Sequence, residues 1–158
     1  MVSKKLLIGV PVIIVVAAGL WMLLGGSKPP VDVYARATPS ITTDPASLLP
    51  ESVAGLTRID VEDFSVLNIK DFVGYYEGDV YIVIQKFSSA SLATEYLDNY
   101  GETIEGSTRT TVSSGKVQWC TVKGSDQCYF FWRKGNWVFG ISAPTETLRD
   151  RVAEGLTF

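Results

Sequence analysis

KDFVGYYEGDVYIVIQKF, residues 70–87, decides the fold. Its halves, 70–77 and 80–87, are rich in β-branched and aromatic residues, and Gly78-Asp79 between them is a hairpin turn signal. Moving outward, Ser88 or Ser89 caps a predicted helix that runs to about Tyr100. Leu92, Ala93, Tyr96, Leu97 and Tyr100 form its apolar stripe, and Gly101 ends it. A second strand group follows over 108–113, 116–122, 127–133 and 136–142, with turns at Ser114-Gly115, near Gly124 and at Lys134-Gly135. Pro144 or Thr145 starts a closing helix to about Glu154, with Leu148, Val152 and Leu156 inward.

The two halves look alike, each a strand, a glycine turn, an aromatic strand and a capped helix. The expected fold class is therefore α+β: two strand–strand–helix units sharing one antiparallel sheet, over residues 44–158. Several strands are apolar on both faces. Tyr81, Val83 and Phe87 alternate with Val80, Ile82 and Ile84, and Tyr129 and Phe131 alternate with Cys128, Phe130 and Trp132. A sheet with one wet face carries polar residues at alternate positions. Here either helices and the bend of the sheet cover both faces, or one face meets a partner. With its Leu49-Pro50-Glu51 lead-in, aromatic hairpin and final helix, the layout resembles the small extracytoplasmic α+β domains of the PsbP-like group. That likeness is one of layout and carries over no functional residue.

N-terminal to this domain, Lys4 and Lys5 precede an uncharged apolar run of 19 residues, Leu6 to Leu24. As a helix it would be roughly 28 Å long, about the thickness of a bilayer's hydrocarbon core. Residues 1–26 are thus read as a single transmembrane anchor, with the bilayer as partner of residues 6–24. Trp21 lies near its far end as an interfacial residue, and Lys4 and Lys5 against Lys28 place the N-terminus in the cytoplasm and the domain outside. Only five residues precede the run, which leaves no cytoplasmic domain in this reading. A cleaved secretory signal, giving a secreted domain, is the alternative. Its apolar region is usually shorter, and the small-x-small sequence Ala35-Arg36-Ala37 lies far past the run. Five of the seven prolines fall between Pro29 and Pro50, so residues 27–43 read as a flexible linker; Thr43-Asp44-Pro45 then offers a helix start.

Of the 14 basic residues two precede the run, leaving 12 against 17 acidic ones, a net charge near −5. Such a surface does not suit nucleic acid. Histidine is absent, which removes the commonest general base and metal ligand. Cys120 and Cys128 flank a turn, and in a hairpin centred near Gly124 they lie opposite each other as a disulfide candidate; two buried thiols are the alternative. No cofactor and no metal are expected.

Two constellations have a chemical reading. Ser113 and Lys116 have the spacing of a Ser-x-x-Lys acyl-transfer pair, but that chemistry needs a helix start and these residues sit at a strand turn. Asp60, Glu62 and Asp63 cluster on a strand whose alternation sends Asp63 to the face opposite Asp60 and Glu62, as on a solvated edge. The aromatic set around Trp132 and Trp137 reads as sheet core or as a platform for a partner. The interaction candidates are Tyr129, Phe131, Trp132, Arg133 and Trp137, with Trp132 expected at the surface beside the Arg133-Lys134-Gly135 turn. The expected function is non-enzymatic: a membrane-anchored extracytoplasmic domain serving as an accessory subunit of a membrane or envelope assembly with a protein partner. A tethered module for a small apolar or sugar ligand is the alternative.

Overall fold

The computed structural model describes residues 29–100, 108–114 and 117–158. The anchor read in residues 1–26, with Lys4, Lys5 and Trp21, lies outside the described residues. Among the described residues no helix is long and apolar enough to cross a membrane.

A short 3-10 helix, Pro45–Leu48, is capped by the Asp44 carboxylate, which accepts from the Ala46 N–H at 3.3 Å. Four strands follow: β1 (Ser52–Val53), β2 (Leu56–Asp63), β3 (Ile69–Tyr76) and β4 (Val80–Phe87). Helix α1 (Ala90–Tyr100) is capped by Ser89, whose Oγ accepts from the Leu92 N–H at 3.3 Å. Four more strands come next: β5 (Thr108–Ser114), β6 (Val117–Lys123), β7 (Cys128–Lys134) and β8 (Trp137–Ala143). Helix α2 (Glu146–Gly155) closes the chain, capped by Thr145.

All eight strands form one sheet in the order β1-β2-β3-β4-β8-β7-β6-β5, antiparallel throughout, and the sheet curls into a half-barrel. The expected α+β fold of two strand–strand–helix units is therefore corrected. Among the described residues the structure is mostly antiparallel β with two short α-helices, and each half is a meander of four strands followed by a helix. β1 and β2 precede the hairpin that defines the first expected unit and add two strands to it. The meanders meet along one seam, where β4 pairs with β8 from Tyr81↔Ser142 to Lys86↔Trp137.

Register sorts the side chains into two faces. The first carries Tyr76, Val80, Ile82, Ile84, Trp119, Phe130, Trp132, Trp137, Phe139 and Ile141, all buried in one cluster with Val152, Ala153, Leu156 and Phe158 of the C-terminal segment. Each fully buried aliphatic or phenylalanine side chain of valine size or larger contributes about 1.5–3 kcal/mol. Trp132 stacks on Phe139 at 5.3 Å between centroids, and Phe139 meets Phe158 at 4.8 Å. Residues 29–43, expected as part of a linker, lie along this face. Val33 is fully buried, and the Arg36 guanidinium sits 5.5 Å over the Trp132 ring while donating to the Ala153 and Phe158 carbonyls. Lys134 Nζ donates to the Tyr34 and Arg36 carbonyls, and Lys86 Nζ to those of Ile41 and Thr43.

The second face carries Ile69, Asp71, Tyr75, Tyr81, Gln85, Phe87, Val138, Phe131 and Cys120. Helix α1 crosses its lower half, the half nearer the β2–β3 and β7–β8 loops. Ala93 and Leu97 bury there against Phe87, Phe131, Val138 and Cys120. Strand β8 lies at the centre with both faces covered, so all seven of its residues are buried, which explains its continuous apolar sequence.

Two turns place consecutive residues in the left-handed region. Ala54 (φ 53°) and Gly55 (φ 83°) link β1 to β2, and Gly78 (φ 74°) and Asp79 (φ 57°) link β3 to β4.

Candidate functional site

The β2–β3 connection exposes apolar side chains that a loop would ordinarily replace with polar ones. Phe64, Val66 and Leu67 are 50%, 64% and 89% exposed. Asn68 (φ 74°) turns the chain there, and isolated pairing of Val66 with Ile69 holds the tip. Beside this tip α1 starts. Between them lies a groove of about 610 Å³. Leu67 and Ile69 line one side, Phe87, Leu92, Tyr96 and Tyr100 the other, and Asn68, Glu95 and Asn99 add polar groups. A neighbouring cavity of about 260 Å³ is lined by Val66, Ile69, Lys70, Lys86 and Phe87.

A buried polar network lies at the Tyr96 wall. Gln85 Nε2 donates to Asp71 Oδ2 at 2.9 Å and to the Tyr96 hydroxyl at 3.1 Å. Asp71 Oδ1 and Gln85 Oε1 are buried with no hydrogen-bond partner. Burial pushes the Asp71 carboxyl above its ordinary value, against the Gln85 hydrogen bond, and Asp63 adds to the rise. Burial also raises the Tyr96 and Tyr100 phenols. The groove is therefore mainly apolar, with Glu95 the one charged residue of its lining and the buried Asp71 carboxyl beneath it. It suits an apolar chain or ring better than a charged substrate.

The upper half of the second face holds a cleft of about 320 Å³ lined by Ile59, Asp60, Glu62, Tyr75, Tyr76, Asp79 and Tyr81. Tyr75 and Tyr81 meet edge to face at 5.3 Å, and the Tyr75 hydroxyl donates to Glu62 Oε2 at 2.7 Å, which raises the Tyr75 phenol. Asp60 and Glu62 pair opposite Tyr75 and Val73 on this face and Asp63 pairs opposite Phe72 on the other, the split that strand alternation predicts. Among the described residues no group of three or more His, Cys, Asp or Glu could hold a metal ion.

The residues singled out from sequence are not brought together. Trp132 and Trp137 lie on the first face, Tyr129, Phe131 and Arg133 on the second. Trp132, expected at the surface, is wholly buried under Arg36 and Phe158; Trp137 and Phe131 are buried too. Arg133 is folded inward, donating to Gly135 O at 3.0 Å and Gln118 Oε1 at 3.4 Å, and burial lowers its guanidinium. Tyr129 is half-buried.

Cys120 and Cys128 are buried and form no disulfide. The β6–β7 loop is Gly124–Gln127, so Lys123 pairs with Cys128 and Cys120 with Phe131. The hairpin centre lies past Gly124, and that offset places the two thiols three positions apart and on opposite faces. Ser113 lies in β5, while Lys116 lies outside the described residues.

The groove is not among the sites expected from sequence. Its signal was present in Phe64-Ser65-Val66-Leu67-Asn68, three large apolar residues in a connection between strands.

No family model matches the chain, and no curated protein matches it. Among solved structures, the crystal structure of a GTP binding regulator from Thermotoga maritima is similar over 65% of this chain and 81% of that chain, at 16% identity and a TM-score of 0.46.

Proposed function

We propose that the protein is a non-enzymatic, membrane-held extracytoplasmic domain that serves as an accessory subunit by docking an apolar segment of a protein partner. The groove between α1 and the Phe64–Asn68 tip carries this reading: about 610 Å³, walled by Leu67, Ile69, Phe87, Leu92, Tyr96 and Tyr100, and open to solvent beside exposed apolar side chains. The apolar run at residues 6–24, with Lys4 and Lys5 before it, supports the location. The volume also falls in the range of about 300–1,000 Å³ typical of small-ligand sites, which favours a small apolar molecule as the second reading.

The test is purification of the intact protein from its own membrane in mild detergent, with a photoreactive residue at position 92. The expected result is one chain of fixed stoichiometry, cross-linked through position 92, whose co-purification with the probe-free protein is lost in Leu92→Asp while the melting temperature is kept. A monomer that cross-links to nothing overturns the reading. A monomer carrying a bound apolar small molecule, displaced by Leu92→Asp, moves the conclusion to the second reading.

A further inference from the structure

The exposed apolar residues gather at one end of the half-barrel. The end is defined by the β2–β3 tip, by Phe87 at the close of β4 and by Lys134 at the close of β7. Leu67, Val66 and Phe64 form the tip, Leu92 sits in the first turn of α1, and the backbones of Ile41 and Tyr34 are bound by Lys86 and Lys134. These are six of the seven large hydrophobic residues exposed among the described residues; the seventh, Ile59, lies at the β2 bulge. The opposite end, at the β3–β4 and β6–β7 turns and the start of α2, exposes the acids Glu77, Asp79, Asp126 and Glu146, the last paired with exposed Lys123 at 3.3 Å.

The N-terminal stretch of the described chain is held at the apolar end. Tyr34 and Arg36 are pinned to Lys134, and the uncharged run ends at Leu24, five residues before Pro29. From Leu24 to the pinned Tyr34 is ten residues, a reach of at most about 36 Å. That length allows a bilayer holding residues 6–24 to lie against this end.

We infer that the end formed by Phe64, Val66, Leu67 and Ile41 rests in the interface of a lipid bilayer, with the acidic end turned away. The inference rests on the membrane-held location proposed above. Aliphatic and aromatic tips gain by leaving water at the headgroup level, and the stem of exposed Lys70 can lie among them with its amine in the polar layer. The acidic end faces the aqueous side, where Glu77, Asp79, Asp126 and Glu146 keep their hydration, and exposed Asp63 and Glu95 beside the apolar end are left to the polar headgroup layer. The groove beside α1 then opens at the height of the headgroups, so the segment it takes is one lying next to the membrane surface.

The experiment uses the full chain reconstituted into phosphatidylcholine vesicles, as Leu67→Cys and Asp79→Cys, each labelled with an environment-sensitive fluorophore. The native cysteines are buried, so the wild type labelled in parallel reports background. Nitroxide-bearing lipids are the quencher. Several-fold quenching at position 67 with none at 79 is the expected result. If the protein floats with the vesicles but position 67 is unquenched, or both positions quench alike, the inference is overturned and the membrane location stands. If position 67 is shielded from aqueous iodide but not quenched by lipid, a second chain covers the tip and the inference is overturned. If the protein does not float with the vesicles, the membrane location itself fails.

Discussion

The two faces of the sheet are covered to different depths. On the first face α2, the chain from Val33 to Leu49 and the C-terminal Phe158 leave Trp132, Phe139 and Ile141 with no exposed surface. On the second face one helix crosses the lower half, and Tyr75, Tyr81 and Val83 stay half-buried above it. The sealed face supplies most of the folding energy, since apolar burial scales with area removed from water. The half-covered face leaves its remaining apolar surface for contact with something else. A single sheet thus divides stability from recognition by how much chain is laid across each side.

The largest effect that would break this division is truncation on the sealed face. Trp132→Ala removes a ring stacked between Phe130 and Phe139 and should cost about 3–5 kcal/mol in urea unfolding. Leu92→Ala on the groove rim should stay within about 0.5 kcal/mol. Equal losses at the two positions would remove the distinction.

Next is Gly140, on the second face. A Cβ there would lie 2.2 Å from Phe131 Cε1, and that ring is held by Tyr100 at 4.1 Å between centroids. Gly140→Ala should cost about 1–3 kcal/mol by overpacking, with part of the loss recovered by adding Phe131→Leu. An unaffected unfolding midpoint would show that this face is loosely packed.

A smaller change sharpens the contrast from the other direction. Ala54 sits at φ 53° in the turn that positions Val53 against α2, where a Gly155 Cβ would come within 2.8 Å of Val53. Asn tolerates the left-handed region, so Ala54→Asn should stabilise by about 1 kcal/mol, read as a raised thermal midpoint.

The last is a pH effect confined to the second face. The folded-state value of Asp71 is raised, chiefly by burial, so its protonated form is the one the fold prefers. Stability from this group is fully present below the unfolded carboxyl value and is lost as pH rises through the folded one. Asp71→Asn should therefore raise the thermal midpoint at neutral pH, and its advantage should shrink as the solution is acidified below the ordinary carboxylate range. An advantage that is constant with pH would remove titration as the cause.

Local features were legible from sequence, and features set by remote chain were not. The Gly78-Asp79 hairpin and both helices lie within a residue or two of their predicted positions, because turn residues, alternation and capping act over short spans. The β4–β8 seam was not legible, since nothing within either strand says that its partner lies beyond an intervening meander. Trp132 reads as exposed from its charged neighbours, but Arg36 and Phe158, distant in sequence, cover it. The disulfide failed on a small shift of a hairpin centre, a quantity that loop sequence alone determines poorly. The groove depends on which half of a face α1 crosses, and that is fixed by the packing of Leu97 and Ala93 rather than by the loop that forms the rim.

The seam has a consequence for how the chain is made. Synthesis completes β1 to β4 first, with all their pairings local, and β4 then presents VYIVIQKF as an unpaired edge. Its partner β8 begins fifty residues later, at Trp137. At about 5–20 residues per second that strand emerges roughly 3–10 s afterward. During this interval the nascent chain carries an uncapped apolar edge, the kind of template to which a strand of another molecule can add. The time during synthesis at which this protein is most exposed to aggregation is thus set by the spacing of two strands that lie side by side once it is folded.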